Sequence, residues 1–243
     1  MKIVGRNPVY ESLVAKAKIK KIYINQEIKV DEKVQKILDL AQENGVPVSY
    51  KSKRFINKIT DNAIHQGVVA DKEDSVAPGL EMTLKDIEMS GKEPFILYIR
   101  DAYNEFNVGA IIRSAEAVGV NAVIIPPKMD ITPNMVRSAM GATEHVPVIK
   151  ESIFQTIKIV KPLGIKVVGI ELTGEDYYYN ADLTGPIMLI IGGEDHSLSD
   201  ELEKKADFFV KIPMKGKVNS LNMSVAASIV LFDKMRQESK ILI

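Results

Sequence analysis

The sequence predicts an α/β protein in which a mostly parallel sheet follows a smaller α/β domain. Short apolar runs with strand character alternate with helical patterns along most of the 243 residues, which favours parallel strands connected by helices. The stretch 72–79 is charged and then carries Pro and Gly, so it separates two blocks. We therefore expect a first domain over residues 1–74, a linker over 75–93 and a second domain over 94–243.

Three strands and three helices are predicted in the first block. Apolar residues recur at helical spacing over 31–44, and Gly45 follows them as a stop signal. The predicted helices span residues 7–15, 31–44 and 54–59. The predicted strands span residues 19–25, 46–50 and 67–70.

Five strands and five helices are predicted in the second block. The run 187–191, Ile-Met-Leu-Ile-Ile, is the most apolar of the strands, which is typical of a strand buried on both faces. The predicted strands span residues 95–99, 122–125, 166–170, 186–191 and 208–211. The predicted helices span residues 108–117, 134–139, 153–160, 200–206 and 222–236.

Charge is divided unequally between the two blocks. The whole chain has a formal net charge of zero, but residues 1–60 carry 13 Lys or Arg against 6 Asp or Glu, a net charge of +7. The remaining residues carry a net charge of −7. A basic module beside an acidic one is typical of a separate RNA-binding domain. A solvated, Lys-rich surface is the other interpretation, and charge alone does not choose between the two.

Composition excludes several classes of protein. The chain has no cysteine, which excludes disulfides, cysteine-bound zinc and thiol nucleophiles and suits a reducing cytoplasm. The N-terminal residues 1–8 lack the apolar core and cleavage site of a secretion signal. No apolar run approaches the roughly 18 residues that would span a bilayer. We expect a soluble, cytoplasmic protein that does not enter a membrane.

Three polar patches in the second block predict a ligand site. They are 107–115 (Asn-Val-Gly-Ala-Ile-Ile-Arg-Ser-Ala), 191–194 (Ile-Gly-Gly-Glu), and 212–214 (Ile-Pro-Met) with 219–224 (Asn-Ser-Leu-Asn-Met-Ser). A core has no need of these side chains, because each polar group that is buried must find a partner. Open α/β sheets bind ligands at the carboxyl ends of their strands, where these patches are expected.

Each patch also has a structural interpretation. Asn107 is a natural helix N-cap, the two glycines of 191–194 can form a tight turn, and 219–224 can cap the last helix. Arg113 is harder to explain in this way. It lies in the middle of an apolar helix, where a buried guanidinium needs an anion or a carboxylate such as Glu194.

The common nucleotide and metal motifs are missing. Neither Gly-x-Gly nor Gly-Lys-Ser/Thr occurs, which excludes dinucleotide-binding turns, kinase-type glycine loops and P-loops. His65, His145 and His196 are far apart in the sequence and indicate no metal cluster. A Ser/His/Asp triad stays open, although no Gly-x-Ser-x-Gly motif is present. Phosphoryl transfer, hydride transfer and zinc hydrolysis are therefore disfavoured.

In this order and spacing, the three patches resemble the three motifs of the SpoU/TrmH family of RNA ribose 2′-O-methyltransferases. The resemblance covers about residues 95–237. In addition, 4–11 and 65–70 resemble the start and end of the ribosomal-protein-like substrate-binding domain of the bacterial 23S ribosomal RNA branch. The resemblance implies a SPOUT-type α/β knot with a deep C-terminal trefoil knot. It also implies S-adenosylmethionine as methyl donor, RNA as substrate and a homodimer with its active site near the subunit boundary.

The resemblance also implies roles for individual residues. The cofactor would lie against Gly192, Gly193, Ile212, Met214 and Leu221. Arg113 would be the catalytic residue near the ribose 2′-hydroxyl, and the pocket would be arranged by Asn107, Glu194, Ser220 and Asn222. Because the pKa of arginine exceeds about 12, Arg113 is expected to be a phosphate-assisted base or an electrostatic organiser. The expected phosphate contacts of the first domain are Arg6, Asn7, Lys51, Lys53 and Arg54.

One departure from the family pattern bears on the cofactor loop. The family usually continues Gly-x-Gly-Leu after Gly-Gly-Glu, whereas this chain has Asp195-His196-Ser197-Leu198. Either the turn keeps its path with an Asp that tolerates the left-handed region, or the loop is altered. The alternatives are a transfer-RNA 2′-O-methyltransferase, a catalytically inactive RNA-binding or ribosome-assembly protein of the same fold, and a small-molecule α/β enzyme. The N-terminal domain favours the ribosome, because minimal transfer-RNA members of the family usually lack it.

Overall fold

The chain divides into two units in a computed structural model that describes residues 1–73, 78–102, 104–192, 200–218 and 220–239. The first unit contains Met1–Val76 together with Ile131–His145. The second contains Ala77–Asp130 together with Val146–Ile243. The first unit is thus assembled from two segments that are distant in the sequence.

The described residues alternate between strands and helices along both units. The strands are β1 (Lys2–Val4), β2 (Ile19–Asn25), β3 (Val48–Lys51), β4 (Val68–Lys72), β5 (Phe95–Ile99), β6 (Ala122–Ile125), β7 (Val148–Lys150), β8 (Lys166–Ile170), β9 (Asp176–Tyr177), β10 (Ile187–Ile191) and β11 (Phe208–Lys211). The helices are α1 (Arg6–Val14), α2 (Glu32–Glu43), α3 (Lys53–Ile59), α4 (Leu80–Met89), α5 (Glu105–Ala117), α6 (Pro133–Ser138), α7 (Ile153–Val160), α8 (Asp200–Glu203) and α9 (Met223–Glu238). Short 3₁₀ turns occupy Ala142–Glu144 and Lys161–Leu163.

The elements predicted from the sequence are present, with ends that shift by up to three residues. Four elements were not predicted: β1, α4, β7 and β9. Helix α4 lies inside the segment expected to be a linker. Its apolar residues Leu80, Leu84 and Ile87 recur at helical spacing and are buried in the core of the second unit.

A mixed four-stranded sheet forms the first unit, in the order β1-β4-β2-β3. Strands β1 and β2 run antiparallel to β4, whereas β2 and β3 are parallel. The segment 131–145 contributes Val136 to the same apolar core as α1 and α2. Lys72 at the end of β4 forms a largely buried ion pair with Glu144 of this segment. This sheet and its helices form the small α/β body that precedes the larger sheet.

A seven-stranded sheet forms the second unit, in the order β7-β6-β5-β10-β8-β11-β9. Every strand pairing among its described residues is parallel, which confirms the predicted α/β class with a parallel sheet. Strand β10 lies between β5 and β8, and all five of its residues are buried, as its continuous apolar run predicts. Helices α4 and α7 cover one face of the sheet, while α5 and α9 pack side by side on the other. This arrangement collects the carboxyl ends of the central strands along one edge.

Candidate active site at the carboxyl edge of the parallel sheet

The register of the central strands brings the residues that follow them into one row. Ile191 at the end of β10 pairs with Ile99 of β5 and with Ile170 of β8. The backbone N–H of Arg100 donates to the carbonyl of Ile191 at 3.1 Å. The next residues along the three strands, Arg100, Gly192 and Glu171, therefore lie side by side at the carboxyl edge. This is the edge at which ligands bind in open α/β sheets.

Gly192 lies against the flexible end of the Glu171 side chain, which a larger residue would displace. A Cβ built at this position would approach Glu171 Oε1 to 2.6 Å, closer than real Cβ contacts. At the end of the central strand the backbone of this glycine has no side chain of its own to cover it. Gly193 and Glu194, and the departure at Asp195-His196-Ser197-Leu198, lie outside the described residues.

Asn107 and Asn222 are brought together from the first and third patches. The Nδ2 of Asn222 donates to Oδ1 of Asn107 at 3.0 Å. Asn222 is also the N-cap of α9, because its Oδ1 accepts from the N–H of Ser224 at 2.9 Å and from its hydroxyl at 2.6 Å. One Asn side chain therefore both caps α9 and ties it to α5.

Asn107 is not the N-cap that the sequence suggested. The cap of α5 is Asn104, whose Oδ1 accepts from the N–H of Phe106 at 2.9 Å, so the helix begins earlier than predicted. Asn107 lies inside the first turn of the helix. Because Asn104 caps the helix, the side chain of Asn107 can accept the hydrogen bond from Asn222.

A second polar contact joins the same two helices further along. The hydroxyl of Ser228 donates to Ser114 Oγ at 2.8 Å and contacts the carbonyl of Ser224 at 2.7 Å. The contact with Ser114 joins the middles of α5 and α9, whereas the contact with Ser224 lies within α9. The two helices are thus fixed in register, with their amino ends, which favour negative charge, at the carboxyl edge of the sheet.

Arg113 is exposed, so the expectation of a buried guanidinium was wrong. The apolar residues next to it in sequence lie on the opposite side of α5, where Ile111, Ile112 and Ala115 are buried. Phe106 precedes Arg113 by seven residues, which is nearly two helical turns. The two exposed side chains therefore lie on the same face of α5. Within the described part of the chain no carboxylate forms an ion pair with Arg113.

The third patch lines the same edge beyond β11. Ile212 is half-buried, whereas Met214, Ser220 and Leu221 are exposed. Asn219 lies outside the described residues. The exposed apolar side chains follow a strand end, where an apolar ligand surface would be expected rather than a core.

Arg100 is a candidate binding residue that the sequence interpretation missed. Its Nε donates to Asp101 Oδ2 at 2.6 Å, while its Nη1 is buried without a hydrogen-bond partner among the described residues. Asp101 has a φ of 40°, an uncommon value for a residue other than glycine. A buried donor of this kind suits an anionic group. The sequence feature that could have identified Arg100 is an arginine directly after a buried strand.

Tyr98, two residues before Arg100, supports the same edge from inside the sheet. Its hydroxyl donates to the carbonyl of Glu151 at 3.0 Å. Burial raises the pKa of this hydroxyl well above its ordinary value of 10. Tyr98 is therefore protonated and structural at neutral pH.

The predicted RNA contacts lie in the first unit and have different surroundings. Arg6 donates from Nε to the carbonyl of Gln66 at 3.0 Å and pairs with Asp31, and Asn7 contacts Met140. Arg6 and Asn7 are therefore partly engaged in structure.

Two of the other three predicted RNA contacts are more accessible, and the third, Lys51, is half-buried. Lys53 and Arg54 are exposed at the start of α3, and in the described residues neither forms an ion pair. The Lys51 Nζ lies 5.4 Å from the centre of the Phe55 ring, and that ring packs against Tyr23 with centroids 5.7 Å apart. Basic and aromatic side chains thus share one surface.

No helix in the described part of the chain has the length and apolar character to cross a membrane. Among the described residues no cluster of three His, Cys, Asp or Glu side chains is arranged to hold a metal ion.

Comparisons with known proteins identify both parts of the chain. Residues 94–232 match the family model for the SpoU rRNA Methylase family. Residues 2–74 match the model for RNA 2′-O ribose methyltransferase substrate binding. The resemblance stated from the three patches is confirmed by these matches.

Individual relatives match along nearly the whole chain. The 23S rRNA (guanosine-2′-O-)-methyltransferase RlmB of Pseudomonas putida is 34% identical over 223 residues, which cover 90% of this chain and 89% of that protein. YacO of Bacillus subtilis, named for the TrmH family of tRNA/rRNA methyltransferases, is 31% identical over 242 residues, 98% of this chain and 96% of that protein. The crystal structure of an AdoMet-bound rRNA methyltransferase from Sinorhizobium meliloti is 26% identical with a TM-score of 0.79, covering 98% of this chain and 88% of that one.

Proposed function

The chain belongs to the SpoU rRNA methylase family, and from this premise we propose that it transfers a methyl group from S-adenosylmethionine to a ribose 2′-hydroxyl of 23S ribosomal RNA. The observation that carries the proposal is the carboxyl edge of the sheet, where Gly192 follows β10 and a hydrogen bond between Asn107 and Asn222 joins the amino ends of α5 and α9. The RlmB relative, which its name assigns to guanosines of 23S rRNA, matches both the first and the second unit. This supports ribosomal RNA over transfer RNA as the substrate.

The residues at this edge fit S-adenosylmethionine. Gly192 offers backbone without a side chain, and Ile212, Met214 and Leu221 offer apolar surface for an adenine ring. Arg100 adds a buried donor that lacks an acceptor among the described residues, which suits the carboxylate of the methionine moiety. Gly193 and Glu194 are proposed to complete the site. When bound, the cofactor supplies an electrophilic methyl group on a positively charged sulfur.

The chain contributes mainly positioning to the reaction. The ribose oxygen must lie in line with the methyl group, and holding two reactants in this geometry removes a large part of the barrier. We assign this work to Asn107 and Asn222, whose mutual hydrogen bond fixes both side chains, and to Ser220 beside them. Arg113 is assigned the role of stabilising the negative charge that develops on the 2′-oxygen as the hydroxyl proton leaves to the solvent or to a phosphate.

The first unit is proposed to hold the RNA. Exposed Lys53 and Arg54 contact phosphates, while Lys51 beside Phe55 and Tyr23 combines charge with an aromatic surface. Arg6 and Asn7 lie at the start of α1 and are the weaker assignments, because Arg6 already pairs with Asp31. Binding through phosphates predicts an affinity that falls steeply with salt.

A second copy of the chain is proposed to complete the active site. Helices α5 and α9 carry exposed apolar side chains at Phe106, Val225 and Phe232, and Arg113 lies on the same side of α5 as Phe106. Exposed aromatic and aliphatic groups of this kind favour association of subunits. We also propose the trefoil knot of the family for the second unit, a cytoplasmic location beside the ribosome, and the domain division 1–74, 75–93 and 94–243.

Methyl transfer from tritiated S-adenosylmethionine to 23S rRNA and to transfer RNA tests the proposal. Alkaline hydrolysis needs a free 2′-hydroxyl, so label on the ribose appears in an alkali-resistant dinucleotide. Label in such a product from 23S rRNA is the expected result. Label on a base, or on transfer RNA alone, contradicts the substrate assignment.

Calorimetric titration with S-adenosylmethionine, using Gly192→Trp as the blocked control, separates an enzyme from an inactive relative. Binding to the natural chain and none to the variant is expected. A natural chain that binds RNA but no cofactor would instead be an RNA-binding or ribosome-assembly protein.

A further inference from the structure

Three consecutive tyrosines form an ordered aromatic cluster beside β11. The rings of Tyr177 and Tyr179 are stacked, with centroids 5.5 Å apart and planes at 11°. Tyr178 meets Tyr179 edge-on, with centroids 5.1 Å apart. Neither the three polar patches nor the proposed catalytic site includes this cluster.

The backbone holds the cluster in place on both sides. Tyr177 pairs with Lys211 in the sheet, and the N–H of Tyr178 donates to the carbonyl of Lys211 at 3.0 Å. The N–H of Asn180 then donates to the carbonyl of Tyr177 at 2.8 Å, which closes a tight turn. A fixed aromatic surface loses little conformational entropy when it binds a ligand.

The chain that follows the cluster is anchored as well. Asp182 accepts from the N–H and the hydroxyl of Thr184 and pairs with Lys166, and these contacts lower its pKa to about 2. Gln237 of α9 donates to the carbonyl of Ala181 at 3.1 Å. The cluster is therefore part of the rigid second unit rather than the tip of a free loop.

The rings remain accessible although they are ordered. Tyr177 is 40% exposed and Tyr179 is 46% exposed, so this stack contributes little to the apolar core. Lys211 Nζ lies 5.3 Å from the centre of the Tyr177 ring, and Lys215 and Lys217 are exposed in the segment that continues from β11. Although Glu175 and Asp176 precede the cluster, the segment 211–217 carries three lysines and no acidic residue. Exposed aromatic faces beside cations match the chemistry of nucleic-acid bases and phosphates.

The cluster also lies beside the strand that leads into the proposed cofactor site. Tyr177 pairs with Lys211 at one strand spacing, about 4.8 Å. The residue that follows Lys211 is Ile212, which is proposed to line the cofactor site. A base stacked on these rings would therefore lie on the side of the sheet that carries Ile212, whereas β5, which leads into α5 and Arg113, is four strand positions away.

We propose that Tyr177 and Tyr179 form a stacking platform for an unpaired base of the bound RNA outside the methylated nucleotide. The platform rests on the proposed function only for the identity of its ligand as RNA. Stacking tolerates any base, so the platform would select single-stranded or splayed RNA over a duplex rather than a particular sequence.

Paired substitutions in the full chain separate stacking from packing. Tyr179→Leu and Tyr177→Leu keep apolar volume but remove the aromatic face, whereas Tyr179→Phe and Tyr177→Phe keep the face and lose only the hydroxyl. The probe is a fluorescein-labelled 12-nucleotide oligoadenylate, with a duplex RNA of equal length as comparison. We expect each Leu variant to weaken binding of the single strand by roughly 5- to 100-fold and to leave duplex binding unchanged, and each Phe variant to bind as the natural chain does.

A fluorescent reporter tests contact directly, because the chain has no tryptophan. Tyr179→Trp preserves a stacking face, and its emission is expected to be quenched when unlabelled oligoadenylate binds. Leu163→Trp places the same reporter at an exposed position before β8, at the opposite edge of the sheet, and is expected to show no quenching.

The outcomes distinguish failure of the platform from failure of the proposed function. Oligoadenylate that binds the natural chain without quenching Trp at position 179, or with equal affinity for the Leu variants, overturns the platform alone. Leu variants that become monomeric while keeping their RNA affinity assign the rings to a subunit contact, which also overturns it. A natural chain that binds no RNA at all refutes both proposals.

Discussion

Replacement of Asn222 separates the two roles that the structure gives this side chain. Asn222→Ala removes the N-cap of α9 and the hydrogen bond to Asn107, whereas Asn222→Ser retains a capping oxygen but is too short to reach Asn107. Loss of an N-cap costs about 1 kcal/mol, which corresponds to a fall in Tm of roughly 2–4 °C for a chain of this size. We therefore expect the Ala variant to be destabilised by this amount and the Ser variant to be nearly as stable as the natural chain.

Turnover should depend on the hydrogen bond between Asn222 and Asn107 rather than on the helix cap. If Asn222 positions the pocket through Asn107, both variants should lose turnover by roughly 10-fold or more, because small displacements of a reacting group cost large factors in rate. Thermal unfolding and methyl transfer measured on the same two preparations give the comparison. Natural turnover in the Ser variant would show that Asn222 is only a cap, and would remove it from the catalytic assignment.

Two further predictions concern charge. Arg113→Ala should abolish turnover while calorimetric cofactor affinity survives, because the exposed guanidinium is proposed to act on the RNA hydroxyl. Equal loss of both would contradict the catalytic role, and Arg113→Lys keeps the charge as a control. Burial, and more weakly Lys53, lowers the pKa of His65, whose Nδ1 accepts from the N–H of Gly67 at 2.9 Å. The unfolded chain therefore binds the proton more readily, so the stability that neutral His65 contributes is complete above about pH 6.5 and is lost as the pH falls below it. Urea unfolding at pH 7.5 and 5.5 should show a smaller loss in His65→Gln than in the natural chain, and equal losses would disprove the assignment.

The second unit was largely predictable because its strands are marked in the sequence by short apolar runs. The run 187–191 is apolar at every position, and a strand covered on both faces needs that composition. Strand β9, in contrast, has two exposed residues at the sheet edge, so no apolar pattern marks it. The assignment of 131–145 to the first unit depends on contacts such as Lys72 with Glu144, which local sequence does not encode.

The site was predictable in its residue types but not in its geometry. The sequence pattern predicted polar side chains at strand ends. It also suggested Asn107 as the cap of α5, whereas Asn104, three residues earlier, caps the helix. It also inferred burial of Arg113 from apolar sequence neighbours, whereas a helix turns such neighbours away from one another. The pairing of Asn107 with Asn222 joins positions 115 residues apart, and only the packing of α5 against α9 creates it.

If two chains associate as proposed, the exposure of Arg113 would link catalysis to that association. A guanidinium in free solvent stabilises charge weakly, because water screens it, and it becomes effective only where water is excluded. Within one copy, α5 leaves Phe106 exposed at 49% and α9 leaves Phe232 exposed at 45%, so a partner that covers the exposed sides of both helices would also enclose Arg113. We expect Phe232→Glu to yield a folded monomer without turnover, measured by light scattering and methyl transfer, while Leu163→Glu, the same change at an exposed position at the far edge of the sheet, leaves both unchanged. A Phe232→Glu monomer with natural turnover would show instead that one chain carries a complete active site.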